Sequence, residues 1–144
     1  MGKKLVVIDD TEMLLIFVED TLAIADKELQ ITTASNGVAG VKQVEDVLPD
    51  LVLLDYSLPD INGDEVCRRL LQNKKTAGVP VLMMSGHIPQ MMTVAETSDN
   101  VVGTIAKPFL SEALVALVQQ TLKSGVRPSP KPVRLAKAAP KAPP

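Results

Sequence analysis

Short apolar runs alternate with stretches of helical periodicity through the first 124 residues of the chain. The runs cover residues 5–8, 29–34, 51–54, 79–84 and 101–106, and the second of them is rich in β-branched residues. Runs of this length are typical of strands in a parallel sheet that helices cover on both faces. The pattern therefore predicts five buried or partly buried parallel strands.

Apolar residues between these runs recur every three or four positions, which predicts α-helices. The predicted helices cover residues 14–25, 38–47, 64–72, 88–97 and 110–122. Five strand–helix units in about 120 residues predict an α/β fold with right-handed crossovers. We therefore expect a (βα)5 three-layer sandwich built on one parallel sheet.

Polar residues stand at the carboxyl ends of four predicted strands: Asp9 and Asp10, Asp55, Ser85 and Lys107. Ligands bind outside the carboxyl ends of the strands in open α/β sheets, so these side chains should meet at one edge. The acidic pair alone is also typical of a helix start, where acids are favoured. Three neighbouring carboxylates repel one another, however, and a bound Mg²⁺ would relieve that repulsion.

These residue types suit phosphoryl transfer. With a cation in place, Asp55 is a candidate nucleophile of the kind that forms an aspartyl phosphate. The Ser85 hydroxyl and the Lys107 ammonium can donate to phosphoryl oxygens, and Gly86 leaves space for the group to enter. The sequence therefore predicts a Mg²⁺-dependent phosphoryl site.

The order and spacing of these residues resemble the receiver domain of two-component response regulators over residues 3–123. The matching motifs are Asp9-Asp10, Ala34-Ser-Asn-Gly37, Asp55 after Leu-Val-Leu-Leu, Leu58-Pro59 with Gly63, Ser85-Gly86 and Lys107-Pro108-Phe109. Each motif alone is weak, but their joint order is specific. The resemblance implies the flavodoxin-like fold with strand order 2-1-3-4-5.

The resemblance also implies a role for each site residue. Asp55 would be the phosphorylated residue, Ser85 and Lys107 would contact the phosphoryl group, and the Lys107–Pro108 peptide bond would be cis. The implied Mg²⁺ ligands are the carboxylates of Asp9, Asp10 and Asp55 and the backbone carbonyl of Ser57. The phosphoryl donor would be a histidine kinase or a histidine phosphotransfer protein. The output would be a separate protein or a C-terminal domain that these residues do not include.

Some positions depart from the family pattern or stay open. Thr104 stands where the family usually carries an aromatic switch residue, so the usual inward swing of a ring cannot operate here. Ser57 and His87 lie two residues beyond Asp55 and Ser85, and in the family these positions flank the route of hydrolytic water. His87 is therefore either a solvated loop residue or a group that modulates dephosphorylation. Met91 and Met92 could belong to the core or to an adaptable partner surface.

The net charge of −2 is the sum of an acidic segment and a basic segment that differ in composition. Residues 1–124 carry all 17 acidic residues, while residues 125–144 carry five basic residues, no acid and six of the 11 prolines. We expect residues 1–124 to form the receiver-like domain and not to bind nucleic acid directly. We expect residues 125–144 to be a disordered Pro/Ala/Lys-rich tail or linker. A nucleic-acid contact by this tail is the weaker alternative because it lacks aromatic residues for stacking.

Cysteine content and hydropathy bear on the cellular compartment. Cys67 is the only cysteine, so no intrachain disulfide can form, which suits a reducing cytosol. It is expected to be a small core filler rather than a reactive thiol. No apolar stretch approaches the roughly 18 residues of a membrane span. The sequence predicts a cytoplasmic protein without membrane contact.

Three functions compete on the sequence alone. The leading hypothesis is a phosphorylation-dependent signalling switch, which is not an enzyme because it catalyses only its own phosphorylation and dephosphorylation. The second is a receiver-like interaction scaffold that no longer uses phosphorylation, which Thr104 favours. The third is a phosphatase with an aspartate nucleophile, and Ser57 argues against it because it cannot serve as the general acid.

Overall fold

Five parallel strands alternate with five α-helices in a computed structural model of the chain, which describes residues 2–131. The elements are β1 Lys4–Ile8, α1 Glu12–Ala25, β2 Gln30–Ala34, α2 Gly37–Val47, β3 Leu51–Asp55, α3 Gly63–Gln72, β4 Val81–Ser85, α4 Ile88–Thr97, β5 Val101–Ala106 and α5 Ser111–Ser124. Every predicted strand and helix is present, and the element boundaries differ from the prediction by a few residues.

The strands form one sheet in the order β2-β1-β3-β4-β5, with all neighbours parallel. Successive side chains of a strand point to opposite faces, so the sheet supports two separate cores. On one face, Val6 and Ile8 pack in a cluster that includes residues of α2, α3 and α4. On the other face, Leu5 and Val7 pack with residues of α1 and α5. The predicted flavodoxin-like three-layer sandwich with strand order 2-1-3-4-5 is confirmed.

Two element boundaries have simple local causes. The fourth strand begins at Val81 rather than at residue 79, directly after Pro80, which has no N–H to give to a strand ladder. Helix α2 begins at Gly37 because Asn36 caps it, with its side-chain oxygen accepting the Ala39 N–H at 2.8 Å.

Sulfur-containing residues lie in both cores: Cys67, Met83 and Met91 on the side of α3 and α4, and Met84 on the side of α1 and α5. Cys67 is fully buried, and burial raises the pKa of its thiol to about 12, so it is a core residue as predicted. Met83 and Met84 are fully buried in β4. Met91 is also buried, whereas Met92 is 43% exposed, so only Met92 stays available as surface.

The described residues beyond α5 form a short irregular segment that ends at Lys131. Gly125 ends the helix in the left-handed conformation, at φ 67°, and residues 126–131 form neither helix nor strand. The Lys131 N–H donates to the Asp99 carboxylate at 2.8 Å, and the Lys131 ammonium donates to the Val101 carbonyl at 2.6 Å. Residues 132–144 lie outside the described residues, so the disorder expected for 125–144 stays a prediction. Within residues 2–131, no helix is long and apolar enough to cross a membrane.

Candidate functional site

The strand register brings the predicted site residues to one edge of the sheet. Asp9 follows β1, Asp55 is the last residue of β3, Ser85 is the last residue of β4, and Lys107 follows β5. In the pairing of β4 with β5, Ser85 lies opposite Ala106. Lys107 is the residue after Ala106, so it lies just beyond the end of β4. The Lys107 N–H donates to the Ser85 carbonyl at 2.9 Å and extends the strand ladder by one residue.

Three carboxylates lie together at this edge. One oxygen from each of Asp9, Asp10 and Asp55 lies within 4.8 Å of the others. Asp9 is fully buried, Asp55 is 4% exposed, and Asp10 is exposed. A divalent cation with hard oxygen preference fits this donor set, because two buried carboxylates and one solvent-facing carboxylate leave room for bound waters.

Lys107 supplies the positive charge that faces this cluster. Its ammonium lies 2.7 Å from Asp9 Oδ2 and 3.3 Å from Asp55 Oδ1, and its side chain is 24% exposed. A single cation therefore compensates two buried carboxylates. The Thr11 N–H, which donates to Asp9 Oδ1 at 2.9 Å, gives the fully buried Asp9 a second hydrogen bond. Asp9 is thus paired on both oxygens.

Asp55 is the less compensated of the two buried acids. The pKa of Asp55 is raised from 3.8 to about 6, chiefly because burial disfavours the charged carboxylate and also because the negative charge of Asp9 is close by. The charge and hydrogen bond of Lys107, and a hydrogen bond from the Ser57 backbone, act in the opposite direction and only partly offset this. An additional cation beside Asp55 would stabilise its ionised, nucleophilic form.

Ser85 ends β4, one residue beyond the position paired with Asp55, and its hydroxyl bonds to the loop that follows. Ser85 is fully buried, and its Oγ accepts the His87 N–H at 2.8 Å. Because the oxygen is the acceptor in that bond, its O–H is left to donate to another group. Nothing lies within 4 Å of a Cβ built on Gly86, so the space beside this residue is open.

The loop after β3 folds back tightly on the end of its own strand. The Gly63 N–H donates to the Tyr56 carbonyl at 2.7 Å. A Cβ on Gly63 would lie 2.9 Å from the Tyr56 Cα and 3.1 Å from the Asp55 carbonyl oxygen, so this approach requires glycine. Ser57 lies inside the loop closed by this contact.

Asp60 belongs to the same loop, and the sequence did not single it out. Its carboxylate accepts the backbone N–H groups of Gly37, Val38 and Ile61, each at 2.8 Å. Slight burial raises the pKa of Asp60, but these backbone donors outweigh it and hold the pKa below its usual value. Gly37 and Val38 lie 23 and 22 residues away from Asp60 in the chain, so no local pattern could have revealed these two contacts.

His87 and Thr104, which the sequence sets apart from the main site residues, both lie beside α4. His87 is exposed at the N-terminus of α4, where its side chain makes no capping hydrogen bond. Thr104 lies in β5, and its hydroxyl lies 4.0 Å from the Met92 sulfur on α4. The small Thr104 side chain therefore contacts α4 through a flexible methionine.

The sequence profile of the response regulator receiver domain matches residues 5–119. The chain belongs to the response regulator receiver domain family. This receiver domain is 28% identical over 123 residues to the phosphate regulon transcriptional regulatory protein PhoB of Rhizobium meliloti, covering 85% of this chain and 53% of that protein. It is 31% identical over 123 residues to the alkaline phosphatase synthesis transcriptional regulatory protein PhoP of Bacillus subtilis, covering 85% and 50%.

A solved structure shows the same fold. The receiver domain protein (CheY-like) of Methanospirillum hungatei JF-1 superposes with a TM-score of 0.78 at 20% identity, covering 87% of this chain and 97% of that one. The present chain spans about half the length of the two regulatory proteins it matches. The receiver domain of two-component systems is therefore established, together with its flavodoxin-like fold. The Lys107–Pro108 peptide bond of this receiver domain is cis, as the resemblance implied.

Proposed function

We propose that this receiver domain is a phosphorylation-dependent signalling switch that accepts a phosphoryl group on Asp55. The observation that carries the proposal is the acidic cluster itself: three carboxylates within 4.8 Å, with Lys107 bound to the two buried ones. The residues that would hold Mg²⁺ are the carboxylates of Asp9, Asp10 and Asp55 and the backbone carbonyl of Ser57. When bound, Mg²⁺ would neutralise charge on the phosphoryl oxygens and on the carboxylates.

Asp55, Lys107 and Ser85 would have separate roles in the phosphoryl transfer. An Asp55 carboxylate oxygen forms a bond to phosphorus while the bond from phosphorus to the donor's histidine nitrogen breaks. That nitrogen keeps the electron pair and takes up a proton. The Lys107 ammonium moves from its carboxylate partners towards a phosphoryl oxygen, and the Ser85 hydroxyl donates to another. No external substrate is turned over, so the proposed switch modifies only itself.

The surface beside Lys107 suits a protein donor. A groove next to the site is lined by Thr11, Leu14, Phe17, Lys107, Pro108 and Phe109. The exposed side chains of Met13, at 74%, and Leu110, at 72%, lie next to these residues in the chain. An apolar patch at the mouth of a phosphoryl site favours docking of a folded partner, a histidine kinase or a histidine phosphotransfer protein.

Thr104 and His87 bear on how the phosphorylated domain would pass its signal to a partner. Because Thr104 cannot fill the space of an aromatic ring, the signal passes through the loop that carries Ser85 and His87 and through α4, with His87 modulating loss of the phosphoryl group. The receiver acts through a downstream protein or a further C-terminal domain.

Residues 1–124 carry an excess of acidic residues, so they do not bind nucleic acid directly. A cytoplasmic location is part of the proposal, and the buried unpaired thiol of Cys67 fits a reducing compartment.

Intact-mass measurement after incubation with a small phosphodonor and Mg²⁺ tests the proposal. The wild type should gain the mass of one phosphoryl group, and Asp55→Asn should gain none. The matched control is Asp46→Asn, which removes an exposed carboxylate of α2 that pairs only with Lys42 among the described residues and should be modified like the wild type. A wild type that binds Mg²⁺ and stays unmodified would instead favour the interaction scaffold.

A further inference from the structure

The carboxylate of Asp60 links the loop after β3 to the start of α2 by hydrogen bonds. The N–H groups of Gly37 and Val38 are the first two of α2, and helix starts leave such donors without intrahelical partners. Asp60 Oδ1 accepts the first and Asp60 Oδ2 the second, each at 2.8 Å. Asn36 already caps the Ala39 N–H, so α2 has an ordinary local cap as well.

The same carboxylate also shapes its own loop. Asp60 Oδ1 accepts the Ile61 N–H at 2.8 Å, so the chain turns sharply at this residue. Ile61 packs on α2 so closely that a Cβ added to Gly37 would lie 2.4 Å from the Ile61 Cγ1. The loop is therefore fixed to α2 by both a charge-assisted cap and an apolar contact.

Ser57 lies between the two fixed points of this loop. On one side the loop is closed by the bond from Gly63 to the Tyr56 carbonyl, and on the other it is held by Asp60. Only two residues, Leu58 and Pro59, separate Ser57 from Asp60, and Leu58 is buried. The Ser57 N–H bonds to Asp55, so movement of this short segment reaches the phosphorylated side chain directly.

We propose that Asp60 is a positioning residue for the metal site, holding the Ser57 carbonyl where it can bind Mg²⁺; this rests on the proposed function. Groups that orient metal ligands contribute to affinity although they never contact the ion. Without its carboxylate, the segment from Ser57 to Ile61 keeps its closure at Gly63 and its apolar contact with α2 but loses its hydrogen bonds to the start of that helix. A cap that served α2 alone would change stability and leave the metal affinity of the folded protein unchanged.

Tyrosine fluorescence gives a direct readout of metal binding. Tyr56 is the only tyrosine, the chain has no tryptophan, and the residue adjoins Asp55. In a Mg²⁺ titration of the purified protein, Asp60→Ala should raise the dissociation constant by about 10-fold. Asp60→Glu keeps the charge but lengthens the side chain, so it should also bind more weakly. Phosphorylation of both variants should approach the wild-type rate at saturating Mg²⁺, because the nucleophile is intact.

Two controls separate geometry from charge and from folding. Asp64→Asn removes the same charge from the exposed first turn of α3 and should bind Mg²⁺ within about twofold of the wild type, since long-range effects between exposed charges are screened. Circular dichroism of each variant establishes that it is folded at the titration temperature. If Asp60→Asn weakens binding and Asp60→Glu does not, the effect is charge alone and the positioning role is wrong.

The remaining outcomes separate this inference from the function on which it rests. A folded Asp60→Ala that binds Mg²⁺ like the wild type overturns the positioning role and leaves the signalling function in place. A wild type that neither binds Mg²⁺ nor accepts a phosphoryl group overturns both. If Asp60→Ala does not fold, Asp60→Glu and Asp60→Asn, which retain carboxylate or amide oxygens, decide the question by the same titration.

Discussion

Replacing Asp55 by Asn should stabilise the metal-free protein at neutral pH. Asp55 is 4% exposed, lies beside the buried carboxylate of Asp9 and shares the single ammonium of Lys107 with it. Its ionised form is therefore poorly accommodated in the folded state. Asparagine has nearly the same shape and carries no charge, so the substitution removes the electrostatic cost without opening a cavity.

The size of this effect follows from the pKa of Asp55. Its rise from 3.8 to about 6 corresponds, at about 1.4 kcal/mol per pKa unit, to about 3 kcal/mol. Between these two values the folded protein retains a proton that the unfolded chain has lost, so wild-type stability falls as pH rises. The loss begins near pH 3.8 and is complete once pH passes about 6. The advantage of Asp55→Asn should thus be about 3 kcal/mol at pH 8 and about 1 kcal/mol at pH 4.5.

Urea unfolding between pH 4.5 and pH 8 in the presence of a chelator measures this difference. Asp46→Asn serves as the control, because its exposed ion pair with Lys42 should contribute less than about 1 kcal/mol at any pH in this range. Addition of Mg²⁺ should stabilise the wild type and reduce the advantage of Asp55→Asn. An advantage that stays constant with pH would assign the effect to packing, and no advantage at pH 8 would refute the electrostatic argument altogether.

Three further predictions concern other parts of the molecule. Lys107→Met should destabilise the protein more at pH 8 than at pH 5 in urea unfolding, because it leaves Asp9 and Asp55 without their cation; an equal loss at both pH values would contradict this. Asn100→Ala should lower stability by about 1–3 kcal/mol in thermal unfolding, because its buried amide bonds the Cys67 carbonyl and the Ser98 hydroxyl, while Asp55 phosphorylation stays unchanged. A phosphoryl mimic on Asp55 should shift backbone amide resonances of residues 85–98 more than those around Thr104; the reverse order would show that the signal leaves through β5.

The fold was predictable because its apolar runs are nearly unambiguous. Residues 51–54 and 81–84 are buried on both faces of the sheet, and a continuous apolar run is what such strands require. The clustering of Asp9, Asp55 and Lys107 was predictable for the same reason, since each follows or ends a parallel strand and the carboxyl ends of these strands meet.

Contacts between segments that are distant in the chain could not be predicted from the sequence. Asp60 caps a helix that begins 23 residues earlier, and an exposed aspartate in a loop carries no mark of such a partner. Met91 is buried and Met92 is 43% exposed, and the weak amphipathic pattern of α4 gave no means of telling them apart from the sequence. Exposure of Met13 and Leu110 was likewise unforeseen, since helical spacing alone does not show which apolar residues a neighbouring element leaves uncovered.

The two bonds of Lys131 hold the last described residue of the chain against β5 and the end of α4. Lys131 is held at the first residue of β5 and beside the end of α4, not at the tip of α5 where the last helix stops. Lys131 therefore lies about 20 Å, the length of a six-residue strand, from the carboxyl ends of the strands. A fluorophore attached at residue 131 would report on the start of β5 and the end of α4 from the side of the sheet opposite the acidic cluster.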